Sequence, residues 1–174
     1  MQKGVMRKRR PKPQSEYGRQ LQEKQDLKGQ YNLREKQFKR YVKVALEKSG
    51  HSDSPELFLQ KLERRLDNVV YRAGFAPTRK QSRQMVSHGH FLVNGKKMDI
   101  PSFEVKKGDI ITVRSASLER TLFKNLLLGL KKYEAPSWIS LDKEKPEISI
   151  LQFPSLAEIA PSVEISLIFE FYSR

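Results

Sequence analysis

The pair Asn94-Gly95 constrains this chain more than any other two residues. It lies between Phe91-Leu92-Val93 and Lys96-Lys97-Met98. Asn-Gly is the preferred pair for a two-residue type I′ turn, in which both central residues need positive φ. The chain is therefore expected to reverse there as a β-hairpin. Val105 and Ile110-Ile111-Thr112-Val113 read as further strands flanking a Lys107-Gly108-Asp109 turn, which makes the hairpin part of a small antiparallel sheet. Ser137–Leu141 and Ile148–Leu151 are strand-like as well.

Helical signals dominate elsewhere. Ser15 can cap a helix to about Lys28, with Gly29 breaking it. Asn32 and Glu35 have capping-box spacing and open a helix over 33–48. Its apolar residues Phe38, Tyr41, Val42, Ala45 and Leu46 share one face, while Lys36, Lys39, Arg40 and Lys43 lie off it. Ser49-Gly50-His51 ends that helix, and Ser54-Pro55 starts another, with Pro in the first turn. The stripe Leu59, Leu62, Leu66, Val69, Val70 and Ala73 carries this helix to a cap at Gly74. Thr78 and Gln81 open a short helix to Ser87. Leu118, Leu122, Phe123, Leu126, Leu127 and Leu130 mark another, closed by Lys131-Lys132. The tail from Val163 to Tyr172 fits a helix or a strand by periodicity alone.

Charge supplies the functional argument. The chain of 174 residues has a net charge of +14. Residues 1–50 hold 15 Lys/Arg against 5 Asp/Glu, 51–120 hold 13 against 8, and 121–174 hold 6 against 7. Such polarity points to a polyanion met by the first two-thirds of the chain. The basic helices interleave aromatics with cations and lack one wide apolar face, so nucleic acid fits better than a membrane surface. Residues 1–14 form a basic tail with no acid, whose like charges and two prolines oppose independent folding.

Other classes lack their equipment. With no cysteine there is neither disulfide nor thiolate-zinc site. No apolar run approaches the roughly 20 residues of a membrane span, and the start lacks a secretory apolar region. His88 and His90 invite a metal reading, yet His51 is the only other histidine, so contacts to phosphate or sugar, or packing at a helix end, are the better expectation. No cofactor is expected. The candidate nucleic-acid contacts are Arg7, Lys8, Arg9, Arg10 and Lys12 in the tail, and Arg19, Lys36, Lys39 and Arg40 on the first helices. Arg72, Arg79, Lys80 and Arg83 follow around the short helix, then His88, His90, Asn94, Lys96 and Lys97 at the hairpin. Arg79, Lys80 and Arg83 sit against the positive end of a helix dipole, which an external phosphate at the same terminus would offset. Tyr17 and Tyr31 are possible base stackers, with core packing as the alternative for each.

The runs LERRLDNVVYRAGFAPTR and QMVSHGHFLVNGKKMDIPS and the ending FEFYSR closely resemble the bacterial-type small-subunit ribosomal protein S-four family. SEYGRQLQEKQ and YNLREKQFKRY resemble that family's first helices, and the likeness extends in order from about Arg9 to Arg174. It implies an α+β fold: a helical subdomain of 15–60 completed by 160–174, and an inserted RNA-binding subdomain of 61–159 whose core module is 61–114. It also favours helix for the ambiguous tail. By this resemblance the chain binds small-subunit ribosomal RNA early and directly, nucleating the subunit body at a junction in the 5′ domain. It would touch the fifth small-subunit protein and messenger RNA near the entry channel, and contribute to accuracy. No membrane or small-molecule substrate is implied, and the setting is a cytoplasmic ribosome, with an organellar one left open.

Departures from the family are that many members carry a longer start, sometimes with zinc-binding cysteines, and that the segment after Trp138 is nearly neutral. Leu156 to Ser166 is also more apolar than the family's approach to its ending. The rival readings are a stress-related RNA binder and an RNA-modifying enzyme. Some pseudouridine synthases have an arginine-leucine-aspartate run like Arg65-Leu66-Asp67, but Asp67 one turn from Arg64 suits an intrahelical ion pair.

Overall fold

The computed structural model describes residues 15–120, 123, 126, 129–130, 132–142 and 144–173, with backbone alone at 49–53. Helix α1 (Glu16–Gln30) is capped by the Ser15 side chain, which accepts the Gly18 N–H at 3.1 Å. Gly29 lies inside it, one residue short of the end. Asn32 supplies the turn instead, in left-handed backbone at φ 51, a conformation that its short polar side chain tolerates. Asn32 therefore closes α1 and does not cap the next helix. Helix α2 (Glu35–Glu63) starts behind Arg34, whose N–H donates to the Gln37 Oε1 at 3.5 Å.

The backbone of α2 stays helical through 49–53, where an interruption was expected, with Pro55 inside the element. It is not straight. Twenty residues of straight helix span about 30 Å, yet the rings of Phe38 and Phe58 meet edge-on with centroids 5.5 Å apart. The Ser54 hydroxyl also reaches back to the Ala45 carbonyl at 3.4 Å. The chain thus reverses between these two residues and packs the halves of α2 on each other. The reversal occurs beside a proline, which removes a ladder hydrogen bond and crowds the preceding turn.

The leucine stripe from Leu59 to Ala73 is not one helix. It breaks at Arg64-Arg65, where Arg65 is extended (φ −65, ψ 136), and restarts as α3 (Leu66–Arg72). The N–H groups of Leu66 and Asp67 donate to the carbonyls of Phe103 at 2.8 Å and Pro101 at 3.1 Å, which satisfies two donors that a helix start leaves without partners. Val105 is buried and gives its N–H to Arg64 O at 2.9 Å. It serves this joint and belongs to no strand, against expectation. The break divides the stripe between two apolar clusters. Leu59 and Leu62 join Leu27, Phe38 and Val42, whereas Leu66, Val69 and Val70 join Phe91, Ile111 and Trp138.

In the second cluster, Thr78 Oγ1 accepts the Gln81 N–H at 3.2 Å and caps α4 (Arg79–Ser87). Strands β1 (Phe91–Val93) and β2 (Lys96–Met98) form the expected hairpin, with Asn94 and Gly95 at φ 49 and 76. The Asn94 amide donates to Asp109 Oδ1 and accepts the Ile110 N–H, both at 2.9 Å. This pins the hairpin tip to the turn before β3 (Ile110–Val113). A short α5 (Ser115–Leu118) follows, and Phe123, Leu126, Gly129 and Leu130 are helical. Leu122, Leu127 and Lys131 lie outside the described residues. Strands β4 (Ile139–Asp142) and β5 (Glu147–Ile150) complete an antiparallel sheet of order β2-β1-β3-β5-β4. Gly74 (φ 81) ends α3 where a Cβ would strike the Tyr133 ring, and the Tyr133 hydroxyl donates to Arg72 O at 3.0 Å.

The chain then returns to the first cluster. After α6 (Leu156–Ile159), the ambiguous tail forms α7 (Ile165–Ser173). Packing decides between the two periods: Ile165, Ile168 and Phe169 are buried and Tyr172 is half-buried, which is the i, i+3, i+4, i+7 face of a helix. That face closes on α1 and α2, with the Phe171 and Tyr17 rings 5.6 Å apart and Gln20 donating to Glu170 at 3.0 Å. The fold is α+β, and among the described residues no helix is long and apolar enough to cross a membrane.

Candidate nucleic-acid interface

Cations in this protein fall into two groups, those engaged inside the fold and those left outside. Glu63 organises the first group. Its carboxylate is buried and accepts from the Tyr31 hydroxyl at 2.5 Å, from Asn68 Nδ2 at 2.7 Å and from Arg72 at 2.9 and 2.8 Å. Arg79 approaches it at 3.9 Å, donates to Asn68 Oδ1 at 2.8 Å and lies over the Tyr31 and Tyr71 rings at 4.7 and 4.6 Å. One carboxylate therefore ties α1, α2, α3 and α4 together. Burial alone would raise its pKa, but the Arg72, Tyr31 and Asn68 hydrogen bonds and the Arg72 charge outweigh burial and hold it below the usual range.

A second buried pair lies at the helix break. Arg65 donates to both Asp67 oxygens, at 3.0 and 2.6 Å, and to the Tyr41 hydroxyl at 2.9 Å. The expected partner of Asp67 was Arg64, but Arg64 faces elsewhere. It donates to Val105 O at 3.0 Å and stacks over Phe153 at 4.2 Å. Burial opposes the Arg65 charge, and the Asp67 hydrogen bonds and charge reverse that and hold it above the ordinary guanidinium range. With both oxygens held, Asp67 is a structural carboxylate.

These partners redefine several expected contacts. Arg79 and Arg83 do not form an outward trio with Lys80: Arg79 joins the Glu63 network, and Arg83 donates to Asn32 O at 2.8 Å. Lys80 alone is exposed, with no ion pair among the described residues. Arg72 is held by Glu63, Tyr31 is buried, and His90 is buried with its Nδ1 2.9 Å from the Ser117 hydroxyl. Burial, then the nearby Arg120, His88 and Arg114 charges, lower the His90 pKa. Asn94 shapes the hairpin. Arg19 pairs with Glu164 at 2.8 Å on the surface, and Tyr17 is exposed while touching Phe171.

Lys36, Lys39, Arg40, Lys80 and Lys96 remain exposed without an ion pair among the described residues, and His88 is exposed at the end of α4. Lys97 is exposed too and approaches Asp99 at 3.5 Å. Arg7, Lys8, Arg9, Arg10 and Lys12 lie outside the described residues. The residues missed from the sequence are Glu63 and Asn68. One signal was available, because Glu63 falls on the same helical face as Leu59, Leu62 and Leu66, where a carboxylate must find partners or destabilise the fold.

Comparison with known families agrees with this architecture. A family described as the S4 domain matches residues 64–111, and one described as the ribosomal protein S4/S9 N-terminal domain matches residues 1–67. The class is therefore that of proteins built on an S4 domain. A small ribosomal subunit protein uS4 of Persephonella marina is 51% identical over 160 residues, covering 91% of this chain and 77% of the relative. The uS4 of Herpetosiphon aurantiacus is 49% identical over 162 residues, covering 92% and 76%. That of Mesomycoplasma hyopneumoniae strain 7448 is 46% identical over 168 residues, covering 95% and 80%. The chain belongs to the uS4 family of small ribosomal subunit proteins.

Proposed function

We propose that this protein is a structural, non-enzymatic constituent of the small ribosomal subunit that binds its ribosomal RNA directly. The observation that carries the reading is the exposed, unpaired cation set of Lys36, Lys39 and Arg40 on α2 with Lys80 and Lys96 on the module. Structured RNA is recognised largely through phosphate, 2′-hydroxyl and shape, for which such a set on a rigid frame is suited. The basic tail, with Arg7, Lys8, Arg9, Arg10 and Lys12, adds counterion release. In this reading a helical subdomain of 15–60 and 160–174 carries an inserted α/β subdomain of 61–159. Apolar clusters drawn from 27–62 with 159–169, and from 66–150, support two such units, with Leu62 and Ile159 packing on the helical side.

Within the subunit the protein meets a junction of the 5′ domain, nucleates assembly of the body and contributes to accuracy. The exposed apolar residues Leu151, Phe153 and Leu156 suit a protein neighbour, for which the fifth small-subunit protein is the candidate, and messenger RNA passes nearby. The ribosome is cytoplasmic. Binding of the whole chain to the 5′ domain of small-subunit ribosomal RNA tests this. Saturable 1:1 binding that falls steeply with salt, with no modified nucleoside produced, is the expected result. Equal affinity for unrelated folded RNAs at physiological salt would refute it.

A further inference from the structure

Beside α4 lies an open cleft of about 450 Å³, within the roughly 300–1,000 Å³ typical of small-ligand sites. Met85 and His90 line it while remaining almost fully buried, the His90 Nδ1 lying 2.9 Å from the Ser117 hydroxyl and its ring 5.4 Å from that of Phe123. The exposed His88 lines it too, its ring 6.0 Å from that of His90 and tilted 56° to it. Gln81 and Gln84 contribute side-chain amides that make no hydrogen bond with another described residue. Lys80 and Arg120, both exposed, also line it, and among the described residues no acidic one does.

Each element has a counterpart in one nucleotide. The exposed His88 ring offers a face to a base, two amides offer donors and acceptors to its edge, and flanking cations suit the adjoining phosphate. Paired bases in a helix cannot enter such a cleft, whereas a nucleotide splayed from a loop or bulge can. A second cleft, at Val42, Leu46 and Tyr172, mixes Lys39 and Lys43 with Glu47 and, among the described residues, offers no side-chain amide. We infer that the cleft beside α4, formed by Gln81, Gln84, His88 and His90 and flanked by Lys80 and Arg120, holds a single unpaired nucleotide of the bound RNA. This rests on reading the chain as a ribosomal RNA binder and adds a site at which it reads a base.

The test uses the full chain, small-subunit ribosomal RNA and dimethyl sulfate as a probe of base edges. Gln84 is exposed, so Gln84→Trp fills the cleft without changing charge, and Gln84→Leu removes the amide with less bulk should the tryptophan perturb folding. Wild type is expected to shield at least one unpaired base. Gln84→Trp re-exposes that base and weakens binding roughly 5- to 150-fold, the range expected for losing one base contact, with an unchanged salt slope. Lys80→Gln instead lowers the slope by about 0.7, the value for one phosphate of a single strand. If wild type binds but shields no base, or both Gln84 variants match its affinity and protection, the nucleotide site is overturned while RNA binding stands. Unchanged RNA binding with lost capture of a ribosomal protein neighbour would give the cleft to a protein and overturn it equally. A wild-type chain that does not bind the RNA overturns the underlying reading as well.

Discussion

The seam around Glu63 and the outer face of α2 are both rich in arginine and lysine, and they do opposite things. At the seam, Arg65, Arg72 and Arg79 are each within hydrogen-bond reach of a buried partner. On α2, Lys36, Lys39 and Arg40 are exposed and unpaired among the described residues. The difference lies in whether a carboxylate shares the buried face. Where Glu63 and Asp67 do, cations hold α2 to α3 and α4. Where no acid is available, the charge stays directed at solvent and at whatever polyanion replaces it. Net charge therefore overstates the binding surface, because part of it is architectural.

Removing the hub should separate the two roles most sharply. Glu63→Ala leaves Arg72 and Arg79 without their carboxylate, and breaking a buried pair costs about 3–5 kcal/mol. Arg72 keeps 26% of its side chain exposed, which argues for the lower end, near 3 kcal/mol. Urea unfolding measures this, and a loss below about 1 kcal/mol would reduce the seam to a surface contact. Asp67→Ala should cost at least as much, toward the upper end of that range, since its partner Arg65 is 1% exposed.

Next in size comes a splitting of the α4 cations. Arg79→Glu brings a second carboxylate to Glu63 and should destabilise the protein by about 3 kcal/mol or more. Lys80→Gln should leave the melting temperature no lower and weaken RNA binding, with the salt slope reduced by about 0.7 for one single-strand phosphate. If both variants melt like wild type, the division between engaged and free cations fails at α4.

Acid should act at two carboxylates, Glu63 in the seam and Glu35 at the start of α2, and spare the unpaired cations. Glu63 titrates below its ordinary value. Glu35 falls from 4.5 to about 2, where partial burial works against ionisation and the Tyr172 hydroxyl with Lys24 and Lys28 prevails. For a depressed carboxylate the folded state prefers the ionised form, so its stabilisation is complete above about pH 4.5. It is lost as the pH falls toward 2. Thermal melts across that window should fall with pH, and Glu63→Gln should flatten part of the slope.

Local chemistry made much of this legible in advance. Ser15, Thr78 and Asn94-Gly95 act through neighbours within a few residues, and each appears where its hydrogen-bond preference placed it. The break at Arg64-Arg65 was not legible, because the leucines on either side keep helical spacing while belonging to different cores. Its cause is the segment 101–105, which supplies the carbonyls that restart α3 and is distant in sequence. Glu63 has the same character: Tyr31 lies 32 residues before it and Arg72 nine after, and no short pattern joins them. Of the candidate contacts, those on exposed helix faces were readable from periodicity. Arg72, Arg79 and His90 were not, since a cation or an imidazole on a helix or at its end gives no sign of the partner that turns it inward.

The smallest expected effect tests the comparison from its weakest side. Arg19 and Glu164 pair at 2.8 Å, but with 61% and 52% of their side chains exposed, and such surface pairs contribute about 0–1 kcal/mol. Arg19→Ala should therefore change stability by less than about 0.5 kcal/mol. Its effect on RNA binding decides which group Arg19 belongs to. A salt slope reduced by roughly 0.9 would mean that the guanidinium exchanges Glu164 for a phosphate when RNA arrives, so an exposed ion pair holds a cation available for binding. An unchanged slope would place Arg19 with the architectural cations despite its exposure. Pairing, more than burial, would then determine which charges the RNA can use.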